Sequence, residues 1–156
     1  MKINFDRFEI DDDPNRIDRD AVWQFLTGEA YWGRWRTRLE VETQISRAWR
    51  VVGAYEAGGG RLVGFARAVS DGFGVAYLAD VFVVEASRGI GLGAAVVTFM
   101  IEGGDGSKFR WMLHASEAAP FYRGLGFGSP DERYMERPPR PSGSHGTDET
   151  GSSFHA

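Results

Sequence analysis

The run Arg88-Gly89-Ile90-Gly91-Leu92-Gly93 sets the tightest limit on what this chain can fold into, because it joins two segments of different hydrophobic period. Upstream, Tyr77-Leu78-Ala79-Asp80-Val81-Phe82-Val83-Val84 is a nearly unbroken apolar run and predicts a buried strand. Downstream, Leu92, Ala95, Val96, Phe99 and Met100 recur at helical spacing and predict a helix to Glu102 with one stripe against a sheet. A strand, a glycine turn and a helix together make an anion site. The turn's N–H groups converge, and the helix N-terminus adds partial positive charge. Glycine at positions 89, 91 and 93 lets a phosphate approach the main chain where side chains would block it. A phosphate-bearing cofactor is the expected ligand.

Three phosphate loops compete for this run. The Walker pattern fails, since no Lys follows these glycines. The dinucleotide fingerprint is met literally by Gly89, Gly91 and Ala94, but it expects an acidic residue about 20 positions on, at the end of the next strand. That strand, Phe109-Arg110-Trp111-Met112-Leu113-His114, carries none, and the chain beyond Ala94 is too short for a second half-fold. The third pattern, R/Q-x-x-G-x-G/A, is met by Arg88, Gly91 and Gly93. It resembles the coenzyme A loop of the GNAT superfamily of N-acetyltransferases. A second segment, Ala119-Pro120-Phe121-Tyr122-Arg123-Gly124-Leu125-Gly126-Phe127, resembles that family's other signature, a short helix bearing a Tyr and then Leu-Gly-Phe. The two stand in the family's order and spacing, with one strand between them. Residues 29 to 38 resemble a small bacterial subgroup of the family.

The resemblance spans roughly residues 5 to 137 and implies a mixed α/β fold, the acyl-CoA N-acyltransferase fold, with a central, mostly antiparallel sheet and flanking helices. It implies acetyl-CoA as co-substrate and no metal. The amides of Arg88, Gly89, Ile90, Gly91, Leu92 and Gly93 would hold the pyrophosphate. The main chain of Phe82, Val83 and Val84 would run along the pantetheine arm and offer an oxyanion donor. Tyr122 matches the family's tyrosine that protonates the departing sulfur, against the plainer reading of a core Tyr with one hydrogen bond. Pro120 is tolerable in the first turn of that helix. Many relatives have Pro after the strand, where this chain has Glu85-Ala86-Ser87.

A primary amine of pKa ~10.4 is neutral roughly once in 2,500 molecules at pH 7, so the reaction gains from a base. Asp80 is the base candidate, since an unpaired carboxylate inside an apolar run is costly. The alternative is an Asp paired to backbone or Arg in a bulge, and the sequence leaves both open. His114, the one His outside the C-terminal tail, is a further proton-shuttle candidate or a structural strand His. Glu117 could fill the polar position that relatives carry in this segment. Glu29, Tyr31 and Trp32 lie where the family's first two helices wall the acceptor site. The aromatics and arginines of Tyr31-Trp32-Gly33-Arg34-Trp35-Arg36 suit an acceptor with an apolar body or an acidic group.

The 156 residues, 42% hydrophobic and 13% aromatic, suit one domain with a sizeable core. A net charge of -4 argues against nucleic acid as partner. No apolar run approaches the ~18 residues of a membrane span. The start lacks a signal-peptide core, and the chain has no cysteine. A cytoplasmic address fits, and the aromatic content is compatible with a homodimer.

Strands are expected over Phe5 to Ile10, Arg50 to Glu56 and Leu62 to Ser70, and helices over Ile17 to Thr27 and Arg38 to Ala48. The full order is β-α-α-β-β-β-α-β-α-β, with a catalytic domain over 1–137. The Pro-, Gly- and Ser-rich 138–156 reads as a disordered tail. The function expected is transfer of the acetyl group of acetyl-CoA to a primary amine, on a small-molecule or peptide acceptor, by direct attack in a ternary complex. The alternatives are a longer-chain acyltransferase and an acyl-CoA sensor without turnover.

Overall fold

The computed structural model describes residues 1–30, 34–58 and 60–138. The chain divides into two units, Met1–Gly126 and Phe127–Ala156. The first is built on a six-stranded sheet whose strands lie side by side in sequence order. Strands β1 (Lys2–Phe5) and β2 (Phe8–Asp11) form a hairpin in which Phe5 pairs with Phe8. Helices α1 (Arg19–Gly28) and α2 (Arg38–Ser46) follow. The next three strands are β3 (Arg50–Glu56), β4 (Leu62–Ser70) and β5 (Val75–Val83). Helix α3 (Leu92–Glu102) crosses over to β6 (Arg110–Met112), and the short α4 (Ala119–Gly124) ends the unit. Only the β5–β6 pair is parallel. The architecture is therefore the expected mixed α/β fold with a mostly antiparallel sheet.

The physical pattern behind these elements is simple. The strand β3 is buried almost throughout and β4 over its first seven residues, because helices cover both faces of the sheet. On one face, Val22, Phe25 and Leu26 of α1 and Val41 and Ile45 of α2 pack with Val51, Tyr55, Phe65 and Phe82. On the other, α3 packs on β3, β4 and β5 and buries Val96, Val97 and Met100. Arg50, itself buried, donates to the carbonyls of Met100 and Gly103 and so caps the C-terminus of α3.

Three expectations need correction. The single strand over Phe5 to Ile10 is a hairpin, because Asp6 adopts the left-handed region at φ 50° and turns the chain. The first helix starts at Arg19 rather than Ile17: Asp13 caps a 3-10 turn over Pro14–Arg16, Ile17 is extended, and Asp18 accepts from the Ala21 N–H at 3.0 Å. No strand follows α4 among the described residues. The second unit, described to Pro138, instead holds a turn in which the Asp131 carboxylate accepts from the Arg133 N–H at 2.9 Å. The sequence Gly128-Ser129-Pro130-Asp131 favours that turn. The tail expected over 138–156 lies, apart from Pro138, outside the described residues. Among the described residues no helix is long and apolar enough to cross a membrane.

Candidate active site

The strand β6 pairs with β5 only at Val75, Ala76 and Tyr77. Among the described residues β5 has no strand partner on that side from Leu78 onward, and its edge there lines two clefts. The strand is also bulged. Phe65 pairs with Phe82 and Arg67 with Ala79, so Ala66 alone stands opposite Asp80 and Val81. Asp80 takes up the extra residue at φ 53°.

The loop after β5 behaves as its glycines require. Gly89 and Gly91 sit at φ 80° and 85°, where side chains are strained. Gly91 caps α3, whose ladder begins with the Ala95 N–H donating to the Gly91 carbonyl at 3.0 Å. The amides of Leu92, Gly93 and Ala94 lie upstream of that first bond and point out of the helix end. Glu85–Ser87 forms a 3-10 turn with Glu85 exposed and Ser87 buried, so the departure from Pro is accommodated. The Arg88 Nε donates to the Val83 carbonyl at 2.8 Å, tying the loop's base to β5. Ile90 is exposed and Leu92 buried in the core, which leaves Leu92 only its amide to offer a ligand.

Two clefts flank the open part of β5. The first, about 760 Å³, is walled by Val81–Val83, by the loop residues Arg88, Gly89, Gly91 and Gly93, and by Phe121 and Tyr122 of α4. Its floor holds Phe25 stacked on Phe82 at 3.9 Å between centroids. The second, about 720 Å³, is walled by Trp35, Arg36, Tyr77 to Val81, Leu113 to Ala118 and Tyr122. Val81, Ala118 and Tyr122 border both. Burial pushes the Tyr122 phenol above its ordinary value, so it stays protonated at neutral pH.

Asp80 is held by two arginines. Arg36 forks onto it, Nη1 to Oδ2 at 3.0 Å and Nη2 to Oδ1 at 2.8 Å, and the Arg67 Nε donates to Oδ2 at 2.6 Å. Arg36 Nη1 also donates to Gln44 of α2 at 2.9 Å. Burial alone would raise the Asp80 carboxyl, but the Arg36 hydrogen bond and the Arg67 charge outweigh it and hold the group below its usual range. The geometry is that of the Arg-paired Asp in a bulge.

The remaining expectations fall as follows. The cleft wall on β5 is Val81, Phe82 and Val83 rather than Phe82 to Val84. Val84 lies off that wall: its N–H donates to the Val63 carbonyl and its carbonyl accepts from the Ser87 N–H. Glu29, at the C-terminal cap of α1, lies on the first cleft and not on the second. Tyr31 and Trp32 lie outside the described residues. His114 and Glu117 both line the second cleft, and the Tyr77 hydroxyl bonds His114 Nδ1 at 2.6 Å. Sequence reasoning gave no role to Arg67 or Tyr77. Arg67 left a signal: a cation inside the apolar Leu62–Ser70, on the strand next to the one that carries the anion Asp80. Among the described residues no cluster of three or more metal-ligating side chains occurs.

Comparison with solved structures identifies the scaffold. A protein placed in the GNAT family of acetyltransferases, from Xanthomonas campestris pv. campestris, is 28% identical over 83% of this chain and 92% of its own, with a TM-score of 0.77. A protein of unknown function from meticillin-resistant Staphylococcus aureus is 20% identical over 85% of this chain and 98% of its own, at TM-score 0.69. Glucosamine-6-phosphate N-acetyltransferase from Arabidopsis thaliana, 17% identical over 83% of this chain and 97% of its own, aligns at TM-score 0.59. The last two show the fold alone. No curated protein matches the sequence. The profile of the acetyltransferase (GNAT) domain matches residues 47–128. That span is just over half the chain and contains the Arg88–Gly93 loop, the open edge of β5 and Tyr122. The chain belongs to the GNAT family of acetyltransferases, and its chemistry is acyl transfer.

Proposed function

We infer that the protein transfers the acetyl group of acetyl-CoA to a primary amine by direct attack within a ternary complex. One observation carries this reading: two clefts, one lined by the Arg88–Gly93 loop, meet at Val81, Ala118 and Tyr122. Two substrates can therefore be held at once with their reacting atoms at a shared border. The loop fits a pyrophosphate, since Gly89 and Gly91 expose the main chain and the first amides of α3 converge there.

The chemistry balances with the residues present. The amine nitrogen attacks the thioester carbonyl, an N–C bond forms and the C–S bond breaks. Tyr122 gives its proton to the departing sulfur, and the nitrogen sheds its extra proton to a basic group lining the second cleft, His114 or Glu117, directly or through water. The main chain of β5 at the bulge supplies a donor for the developing oxyanion. The chain has no cysteine to carry an acyl group covalently, in keeping with direct attack.

The test begins with thermal unfolding in the presence of acetyl-CoA, longer acyl-CoAs, NADH and ATP, followed by thiol release against a panel of amines. A ligand at about 100 times its dissociation constant stabilises by about 2.7 kcal/mol, several degrees for a domain of this size. A shift with acetyl-CoA together with amine-dependent thiol release is the expected result. A larger shift with long acyl-CoAs moves the donor class, and binding without turnover on any amine favours a sensor. A shift with NADH or ATP alone overturns the reading.

A further inference from the structure

The second cleft contains a carboxylate to which the chemistry above gives no task. Asp80 has a side chain only 7% exposed, and both its oxygens already accept from guanidinium groups that are themselves 9% and 11% exposed. Three hydrogen bonds from two guanidinium groups favour the ionised form, so taking a proton from an acceptor would leave a neutral carboxyl between two cations. Its backbone is equally particular. Among the described residues, Asp80 and Asp6 are the two non-glycine residues at positive φ, and Asp6 has a hairpin turn to explain it. Asp80 has instead a bulge in the middle of a sheet, beside Val81, which borders both clefts.

We propose that Asp80 is a positioning residue: clamped between Arg36 and Arg67, it fixes the bulged Asp80–Val81 main chain in the conformation that meets the thioester carbonyl, and it takes no proton from the acceptor. The proposal rests on the acyl-transfer reading for its kinetic consequence only. The clamp joins three parts of the unit. Arg67 comes from β4, Asp80 from β5, and Arg36 from the segment entering α2, where its Nη1 donates to Gln44 as well as to Asp80. A left-handed residue in a strand persists only where its surroundings over-determine it, and such residues cluster where geometry matters for function. Three charge-assisted hydrogen bonds from two separate elements provide that determination. A consequence follows for the acceptor. Arg36 is engaged by Asp80 and Gln44, so the cleft presents its apolar and aromatic wall, including the exposed Trp35, rather than a free guanidinium. The titratable groups left to act on the acceptor's proton from this cleft are Tyr77, His114, Glu117 and Tyr122.

The experiment compares the full chain with Asp80→Asn, Arg67→Gln and the double variant. Asn tolerates the left-handed region, so Asp80→Asn removes the charge without adding backbone strain. Amide hydrogen exchange at residues 80 to 82 is read without substrate, and kcat, KM and the pH profile with acetyl-CoA and an accepted amine. Both single variants should speed that exchange and lower kcat by about 10- to 100-fold, the scale of a displaced reacting group. The double variant should be no worse than either single, as expected for residues acting as one unit. The KM for acetyl-CoA and the acidic limb of the profile should stay in place. Loss of the acidic limb in Asp80→Asn with normal kcat in Arg67→Gln would make Asp80 the base and overturn the proposal. Unchanged kcat in both variants would reduce the clamp to a stability device and overturn it equally. If the wild type acetylates no amine, the acyl-transfer reading fails separately, and the exchange data decide the clamp: equal exchange in all proteins refutes it. Should Asp80→Asn not fold, Arg36→Lys replaces the fork by one ammonium and leaves Asp80 and Arg67 in place.

Discussion

Among the described residues, Tyr122 is the titratable side chain that borders both clefts, and it sits on α4 with its N–H donating to the Ala118 carbonyl at 3.3 Å. A proton donor must hold its proton until the sulfur departs, and burial raises this phenol in that direction. Tyr122→Phe keeps the ring and removes the donor. The expected loss is about 10²- to 10⁴-fold in kcat, with acetyl-CoA affinity retained, read from initial rates beside a thermal shift with the cofactor. A loss of affinity with intact kcat would assign Tyr122 to binding instead. A second residue-scale prediction concerns packing. Tyr55 is 1% exposed and folds back over Gly53 on the same strand, with the Arg16 guanidinium 4.1 Å from its ring centroid. A Cβ on Gly53 would overlap the Tyr55 hydroxyl and the ring carbon that bears it. Gly53→Ala should therefore destabilise by about 1–3 kcal/mol in urea titration, with part recovered on adding Tyr55→Leu. The sequence shows such single-residue facts unevenly. Tyr122 and the loop glycines are legible because a local motif dictates them. The Asp80 clamp is not, because it depends on the register of two strands and on an arginine 44 residues away.

At the scale of elements, α2 owes its start to a reciprocal cap. The Thr37 hydroxyl accepts from the Glu40 N–H at 3.3 Å, while the Glu40 carboxylate accepts from the Thr37 N–H at 2.6 Å and its hydroxyl at 2.9 Å. The helix has little amphipathic contrast, burying only Val41 and Ile45, so its end interactions count for more than usual. Thr37→Ala should cost about 1 kcal/mol at neutral pH. The Thr37 N–H and then its hydroxyl hold the Glu40 carboxyl below its usual value. A depressed folded-state value contributes stability above the unfolded value of 4.5 and loses it as pH falls. The gap between wild type and Thr37→Ala should thus narrow below that pH, which chemical denaturation at pH 7 and pH 3 would show. Sequence pattern placed β3 and β4 correctly, since each is a long apolar run bounded by turn residues. It missed the β1–β2 hairpin because a two-residue Asp6-Arg7 turn leaves no gap in the apolar pattern. It also over-extended the sheet past α4, where Leu125 and Phe127 resemble a strand start but Pro130 and Asp131 turn the chain.

For the whole molecule, the carboxylates held below their ordinary values differ in how far they lie from solvent, and acid at two salt levels should separate the extremes. Glu9, Glu40, Glu56 and Asp71 are held low by hydrogen bonds at the surface, from Lys2, Thr37, Arg61 and the Gly74 amide respectively. Asp80 is held low in the interior, where the Arg36 hydrogen bond and the Arg67 charge overcome a burial that acts the other way. Each has a folded value below its unfolded one, so the unfolded chain binds more protons and stability falls as pH drops below about 4.5. Surface pairs are weak and screened, with the screening length falling from ~30 Å at about 0.01 M salt to ~3 Å at about 1 M. The Asp80 pairs are shielded from that screening. Urea midpoints from pH 6 down to pH 2 should therefore show a steep loss in low salt and a shallower one in high salt. In Asp80→Asn the high-salt remnant should shrink, leaving the shares of Glu40 and Asp71, held by neutral donors, and of Asp12, beside the N-terminal amine and Arg50. If high salt alone abolished the pH dependence of the wild type, the interior carboxylate would not be held low, and Asp80 would have to exchange its arginines far more freely than its three hydrogen bonds allow.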